Sequence, residues 1–204
     1  MKENNNNSKQ VLLSVLGVAI LVVAVVGVSF AAFSYSKTGE QVNTITTGTI
    51  TMSYSEDTNG INLIDALPMT DEQGKALAGE NNVFEFTVGA TITGTTTINY
   101  AVTATKESGS SLDDTAVKVY LTDITSGGDT QVLAPTKVSA LTKTGNSEAS
   151  GAPSNQYKLT SGTFTNTTTR KYRLRMWVAD DYSSLGTSGT YKLRVNVYGA
   201  AAAQ

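Results

Sequence analysis

Beyond residue 48, apolar and polar residues alternate one by one in seven segments of the chain. Most of these segments end near Gly, Asn, Asp or Ser, the residues that favour turns. A period of two places apolar side chains on one face of a strand and polar side chains on the other. The segments are residues 50–54, 84–88, 98–104, 117–121, 157–159, 172–178 and 191–197. The pattern therefore predicts about seven to nine strands in an all-β, antiparallel sandwich.

Two stretches depart from this alternation. Residues 64–78 are the best candidate for a helix, because Thr70 followed by Asp71 and Glu72 is typical of a helix N-terminus. Residues 141–156 are rich in Thr, Gly, Asn, Ser and Pro, which predicts a mobile loop. The chain after residue 32 shows no repeat of fixed period and no internal boundary, so we interpret residues 33–204 as one domain.

The N-terminal segment has the layout of an export signal. Residues 11–33 carry no charge and follow Lys2 and Lys9. As a helix of about 1.5 Å per residue, such a segment would cross a hydrocarbon core of about 30 Å. Small residues at its end, Ala31 and Ala32, predict a signal peptide of residues 1–32 that is cleaved before Phe33. Because the apolar stretch is long for a signal, an uncleaved membrane anchor remains an alternative.

Both alternatives place the rest of the chain outside the cell, since the positive charges precede the apolar segment. We therefore predict a secreted or cell-surface protein that meets the membrane only through its precursor segment. The chain contains 15 Lys and Arg against 17 Asp and Glu, a formal charge of −2, with no basic block. Phosphate backbones require clustered positive charge, so nucleic acid is excluded as a partner.

One basic cluster does occur, and it has the spacing of a strand. Arg170, Lys171, Arg173 and Arg175 are interleaved with apolar residues, which predicts a solvated strand face. The chain has no cysteine and no histidine. It therefore has no disulfide, no Ser-His-Asp or Cys-His site, and none of the usual nitrogen and sulfur ligands of zinc. We predict no catalytic residue, no cofactor and no metal site.

Adjacent carboxylates are the remaining candidates for chemistry. Asp113 and Asp114 form one pair, and Asp180 and Asp181 form another. Neighbouring residues of a strand point to opposite faces, whereas a glycosidase needs two carboxylates facing one bond. Turn formation is the favoured interpretation of both pairs, and an exported hydrolase is the lesser one.

Several short motifs, taken in order, resemble the TasA/camelysin family of exported proteins. Residues 28–34, Val-Ser-Phe-Ala-Ala-Phe-Ser, are similar to the signal junction of that family. Residues 46–52, Thr-Thr-Gly-Thr-Ile-Thr-Met, look like the Ala/Thr-x-Gly-Thr-Leu-x-Leu strand of that family. Residues 61–71 resemble its next segment, although Met69 and Thr70 stand where the family has Gly. Residues 84–88 fit its Phe-x-Phe strand, and the match covers about residues 11–105.

The resemblance implies a jelly-roll-like sandwich, cleavage by a dedicated signal peptidase and polymerisation into biofilm-matrix fibres. In fibres of this family the mature N-terminal segment completes the sheet of a neighbouring subunit, which is β-strand addition. Cleavage between Ala32 and Phe33 would free residues 33–45 as the donor strand. The resemblance places the donor-strand interface at Phe33, Tyr35, Val42 and Ile45, with Phe33 and Tyr35 entering the core of the neighbour.

The expected partners are therefore further copies of the chain, the signal peptidase and other matrix proteins. Metal-dependent protease activity has been ascribed to some camelysin relatives, but this chain has no histidine to hold a metal. A type IV pilin is disfavoured, because no acidic residue lies between Glu3 and Glu40. The runner-up function is a membrane-anchored or secreted monomeric adhesion domain. In that case residues 33–45 would be the protein's own first strand or a loose leader.

Overall fold

The computed structural model describes residues 34–38, 45–47, 50–56, 61, 63–64, 67–79, 82–182 and 189–202. All of them belong to one unit, residues 34–204. They form mostly antiparallel sheets, which confirms the predicted all-β sandwich class. The predicted signal or anchor helix within residues 1–32 lies outside the described part of the chain.

The strands belong to two main sheets and one short pair. The four-stranded sheet has, in order across it, β1 (Ser34–Thr38), β13 (Leu193–Ala201), β7 (Ile98–Lys106) and β10 (Tyr157–Phe164). The larger sheet has β2 (Ile45–Thr47), β3 (Ile50–Glu56), β6 (Val83–Ile92), β11 (Thr168–Ala179), β8 (Val117–Asp123) and β9 (Thr130–Lys137). A short β5 (Pro68–Met69) pairs in parallel with the end of β11. The short pair is β4 (Leu63–Ile64) with β12 (Thr190–Tyr191).

Aromatic and branched side chains fill the space between the two main sheets. Tyr172 of β11 lies opposite Phe86 of β6, and their ring centroids are 5.5 Å apart. In the other sheet Tyr100 stacks on Phe164 at 4.5 Å. These four side chains are almost fully buried. Burial of each such side chain stabilises the fold by about 1.5–3 kcal/mol, which is why the alternating apolar positions fix the strand faces.

All seven alternating segments are in strands, as predicted. The last predicted strand, which begins at Tyr191, is interrupted at Lys192 and forms two strands, β12 and β13. The sequence did not predict β9, because most of its side chains are exposed or half-exposed and no alternation marks it.

The predicted helix is present but short. Helix α1 (Asp71–Lys75) begins after Thr70, whose hydroxyl accepts from the Gln73 amide while the Gln73 side chain accepts from the Thr70 amide. This capping box confirms Thr70 as the helix N-terminus. The helix packs on β11, where a methyl group at Gly74 would lie 2.3 Å from the Trp177 ring. Only glycine allows the helix to approach the indole so closely.

Residues 141–156 are irregular, as predicted for a loop, yet they pack closely on the outer face of the four-stranded sheet. The Thr144 hydroxyl donates to the Pro153 carbonyl at 2.6 Å, and the Thr144 amide donates to the Gln156 carbonyl at 2.8 Å. Ala152 is buried against Ala101 and Tyr198. This loop therefore covers a sheet face that would otherwise meet water.

Candidate assembly edge

Within the predicted donor segment, residues 33–45, the part that forms β1 is an edge strand of its own chain. β1 pairs antiparallel with β13 from Ser34 opposite Ala200 to Thr38 opposite Asn196, with no register shift. β1 pairs with no other strand of the described residues, because it ends the four-stranded sheet. The alternative in which this segment is the protein's own first strand therefore matches the arrangement within a single chain.

The predicted interface residues have different positions in this arrangement. Tyr35 lies opposite Gly199 in the β1–β13 register, and Ile45 lies on β2 opposite Met52. Ala32, Phe33 and Val42 are outside the described residues. The predicted cleavage point and the predicted interface thus remain predictions.

β13 is a regular strand that also pairs with β7, on the side opposite β1. It pairs with β7 over nine residues, from Leu193 opposite Lys106 to Ala201 opposite Ile98, again without a register shift. Val195 and Val197 of β13 are buried in the core. A straight strand anchored on one side presents regularly spaced N–H and C=O groups on the other, which is the geometry that strand addition requires.

Gly199 brings β13 close to the larger sheet. A methyl group at this position would lie 1.8 Å from the sulfur of Met52 on β3 and 3.5 Å from Ile98. No side chain fits there, so the position opposite Tyr35 is a glycine for steric reasons.

The outer side of β13 is buried and polar. Asn196 has no exposed surface, and its amide nitrogen donates to the Thr105 hydroxyl at 3.3 Å. Its amide oxygen is buried with no hydrogen-bond partner among the described residues. A buried acceptor without a donor costs about 1–3 kcal/mol. Asn196 lies opposite Thr38, so this unpaired oxygen is at the very strand pair that joins β1 to β13.

The loop of residues 141–156, which covers the outer face of the four-stranded sheet, also forms hydrogen bonds to Tyr198 and Thr103 near Asn196. The Gln156 side chain donates to the Tyr198 hydroxyl at 2.9 Å and accepts from the Thr103 hydroxyl. Tyr198 and Thr103 lie on the outer faces of β13 and β7, respectively. The loop thus ties β13 to β7 independently of β1.

The free edge strands at the opposite side of the sandwich are less regular. β9 contains Pro135, which has no N–H to donate, and its pairing with β8 shifts register twice. The pairing of β10 with β7 shifts between Lys158 and Thr160. Proline and irregular register discourage the addition of another strand. The β13 edge is accordingly the better acceptor.

Asp114 is the centre of a polar cluster at one end of the sandwich. Its carboxylate accepts from the hydroxyls of Tyr157 and Tyr191, the latter at 2.9 Å, and lies 3.3 Å from the Lys106 ammonium group. Burial alone would raise the pKa of Asp114, but these hydrogen bonds and the Lys106 charge outweigh it and hold the pKa below 3.8. Burial and the Asp114 charge together raise the pKa of Tyr157 to about 12.

The cluster ties together four separate parts of the chain: β7, the turn before β8, β10 and β12. The second predicted carboxylate pair is on the surface, where Asp180 lies 3.6 Å from Lys118 and Asp181 lies 2.7 Å from Lys137. Within the described residues, no three or more acidic side chains form a group that could hold a metal ion.

The basic cluster differs from its predicted solvated face. Arg175 is only 4% exposed, and it donates to the Leu77 carbonyl at 2.8 Å and to Asp129 at 2.9 Å. Arg173 bridges Glu85 and Asp129 at 2.7 and 3.1 Å. The prediction was wrong for Arg175, because the segment after α1 covers that end of β11.

Compared with known protein families and with curated proteins, the chain matches none. Among the described residues, no helix is long and apolar enough to span a membrane.

Proposed function

We propose that the protein is the structural subunit of an extracellular, biofilm-matrix fibre in which each β1 joins the four-stranded sheet of the next copy. The observation that carries the proposal is the position of β1: it is the first described strand, at an edge, paired to β13 alone. A terminal edge strand exchanges between copies without threading the chain, as in domain swapping. The same residue pairs with β13 would then form between chains.

The segment between β1 and β2 sets the reach of such an exchange. Six residues, 39–44, separate Thr38 from Ile45. When extended, six residues span about 20–22 Å. The exchange therefore requires the acceptor edge of an adjacent subunit to lie within about this distance of Ile45.

The rest of the proposal extends the resemblance to the TasA/camelysin family. It includes a jelly-roll-like strand connection, cleavage between Ala32 and Phe33 by a dedicated signal peptidase, and contact with other matrix proteins. It also includes a secreted location and the absence of enzymatic activity, cofactor and metal.

A cysteine cross-link tests the strand exchange, and the cysteine-free chain gives it no background. Ser34 and Ala200 lie directly opposite each other. Opposed residues in antiparallel strands have Cα atoms about 4.5–5.5 Å apart, within disulfide range. Chains carrying Ser34→Cys and chains carrying Ala200→Cys are assembled together and oxidised. We expect mass spectrometry to detect an interchain peptide with a disulfide between positions 34 and 200.

The matched control pairs Ser34→Cys with Thr163→Cys, which is on β10 at the far edge of the same sheet. We expect no specific cross-link there. The double variant Ser34→Cys/Ala200→Cys, oxidised as a monomer, should lock β1 in place and prevent fibre formation until it is reduced. Fibres that grow from the locked monomer, or fibres without the interchain peptide, would overturn the proposal.

A monomeric surface domain is the second candidate, and the seating of β1 on its own β13 favours it. In that case the protein isolated from cells is dispersed, and the double variant forms its disulfide within one chain only. Retention of residues 11–33 in the isolated protein would identify the anchored form.

A further inference from the structure

A polar cleft of about 400 Å³ opens at the end of the sandwich where β8 through β11 meet. Its walls are the turn between β8 and β9 and the turn between β10 and β11. This volume is within the range of about 300–1,000 Å³ that is typical of small-molecule sites. Five lining side chains have hydroxyls that make no hydrogen bond within the described part of the chain: Ser126, Thr130, Thr165, Thr168 and Thr169.

An ion pair on neighbouring strands of the larger sheet lines this cleft. The Arg170 guanidinium donates from one nitrogen to Asp123 at 3.1 Å, and the other Asp123 oxygen accepts from the Thr125 amide at 2.8 Å. Both Asp123 oxygens are thus occupied. Arg170 has five N–H donors and is 48% exposed, so it retains donors that point to solvent.

The polar cleft lies at the end of the sandwich where polar and charged side chains replace apolar ones on the inner faces of the sheets. Asp123 is opposite Tyr172 in the β8–β11 register, and Arg170 is two residues before Tyr172 on the same face. Deeper in the sandwich, the hydroxyls of Tyr100 and Tyr172 are 2.7 Å apart. Toward this end of the sandwich, the side chains of the inner face therefore change from aromatic rings to groups that form hydrogen bonds.

The charge, the exposed apolar surface and the hydroxyls of the lining indicate which class of ligand the cleft would bind. The lining carries one positive and one negative charge, so its formal charge is zero and a strongly charged ligand gains little. The only large apolar side chain of the lining, Phe164, is 1% exposed and offers no surface to an apolar ligand. Hydroxyls both donate and accept hydrogen bonds, and they match a ligand with the same property. We propose that the cleft binds a neutral, polyhydroxylated ligand, namely an oligosaccharide.

The site does not depend on fibre formation. In the four-stranded sheet β10 is two strands away from β13, and in the larger sheet β9 is at the edge opposite β2. The β10–β11 and β8–β9 turns are therefore on the other side of the sandwich from the β1–β13 pair. A subunit with β1 seated, whether its own or that of another copy, keeps the cleft open.

The test is a titration of the full chain, followed by two-dimensional amide NMR, with three named hexasaccharides. Cellohexaose and the fully N-acetylated chitohexaose are neutral, and hexagalacturonate carries the same number of rings with negative charge. We expect at least one neutral hexasaccharide to shift the amides of residues 124–130 and 163–170 selectively. The Arg170→Ala variant should weaken that binding at least tenfold, because its exposed donors are lost.

A second variant and a control keep the test specific. Thr168→Val, on the same strand face as Arg170, preserves the shape of an exposed side chain while it removes one hydroxyl. It should weaken binding by about three- to tenfold, the loss of one hydrogen bond. Arg194→Ala removes an exposed arginine of β13, paired with Glu107, and should bind like the wild type. Binding of hexagalacturonate alone, binding unaffected by Arg170→Ala, or no binding by either neutral hexasaccharide would overturn the inference.

Discussion

Gly199 of β13 and Met52 of β3 touch across the sandwich, so that a single methyl group at Gly199 would lie 1.8 Å from the Met52 sulfur. Met52 itself is 4% exposed. The contact joins the strand that pairs with β1 to the strand that pairs with β2. It fixes how close the β13 edge lies to the larger sheet.

The Gly199→Ala variant should therefore lose about 1–3 kcal/mol of unfolding free energy through overpacking. Urea denaturation measures the change. The Met52→Ala variant alone should lose about 2–5 kcal/mol, since it leaves a cavity. In the double variant the alanine methyl enters that cavity, so the loss should be smaller than the sum of the two. Gly128→Ala is the matched control, because nothing lies within 4 Å of its added methyl group. An additive double variant would contradict the contact.

Removal of the proposed donor segment should separate folding from assembly. A chain that lacks residues 33–41 loses β1 but keeps the β7–β13 pairing and the covering loop. We expect a folded monomer by circular dichroism and no fibres by electron microscopy. Hydrogen exchange at the amides of residues 196–200 should accelerate and slow again when a peptide of residues 33–45 is added. Fibres formed by the shortened chain would contradict the role of β1.

Arg175 should matter far more to stability than an exposed arginine such as Arg194. Its guanidinium is buried and donates to the Leu77 carbonyl and to Asp129, so Arg175→Ala should cost about 1–3 kcal/mol, chiefly because the Leu77 carbonyl loses its donor while Asp129 keeps Arg173. Arg194→Ala, which breaks an exposed pair with Glu107, should cost about 0–1 kcal/mol. Thermal and urea unfolding of both variants provide the comparison, and equal losses would refute the buried role of Arg175.

The Asp114 cluster makes a testable contribution to acid stability. The pKa of Asp114 is lowered in the folded chain, so its stabilisation is present above about pH 3.8 and is lost as the pH falls through the folded pKa. Asp114→Asn should cost about 1–3 kcal/mol at pH 7. The difference from wild type should shrink below pH 3.8, because the Asp114 carboxyl of the unfolded wild-type chain is then increasingly protonated while that of the folded chain is not. Asp181→Asn, at an exposed pair with Lys137, should stay close to wild type throughout. A constant Asp114→Asn difference down to about pH 2 would contradict the lowered pKa.

Alternation alone predicted the strands whose two faces differ, and it failed where neighbours from distant parts of the chain cover both faces. Arg175 follows the spacing of a solvated face, yet its partners Leu77 and Asp129 are 98 and 46 residues away. The edge strand β9 has one side without a partner strand and mostly exposed side chains, so no pattern marks it. Thr70 was predictable because a capping box is local to four residues.

The same limit applies to the candidate sites: local motifs could be predicted, but contacts between distant residues could not. The family resemblance implied residues 33–45 as a donor strand, but nothing in the sequence indicated that residues 34–38 pair with β13, since pairing partners from opposite ends of the domain leave no local signal. The cleft was missed for a related reason. Asp123 and Arg170 are 47 residues apart and meet only because β8 and β11 are neighbours.

The seating of β1 on its own β13 also bears on how a polymer would stop growing. In a chain of subunits linked through this edge, every inner copy gives its β1 to one neighbour and receives another. The two ends then differ, since one has a vacant β13 and the other has a β1 with no recipient. Neither end can close with its own first strand, because one end subunit has already given its β1 to a neighbour and the other already holds a neighbour's β1. Self-closure is open only to the free monomer. Growth would therefore stop where self-closure of free monomers outcompetes their addition to the end, a balance that depends on protein concentration.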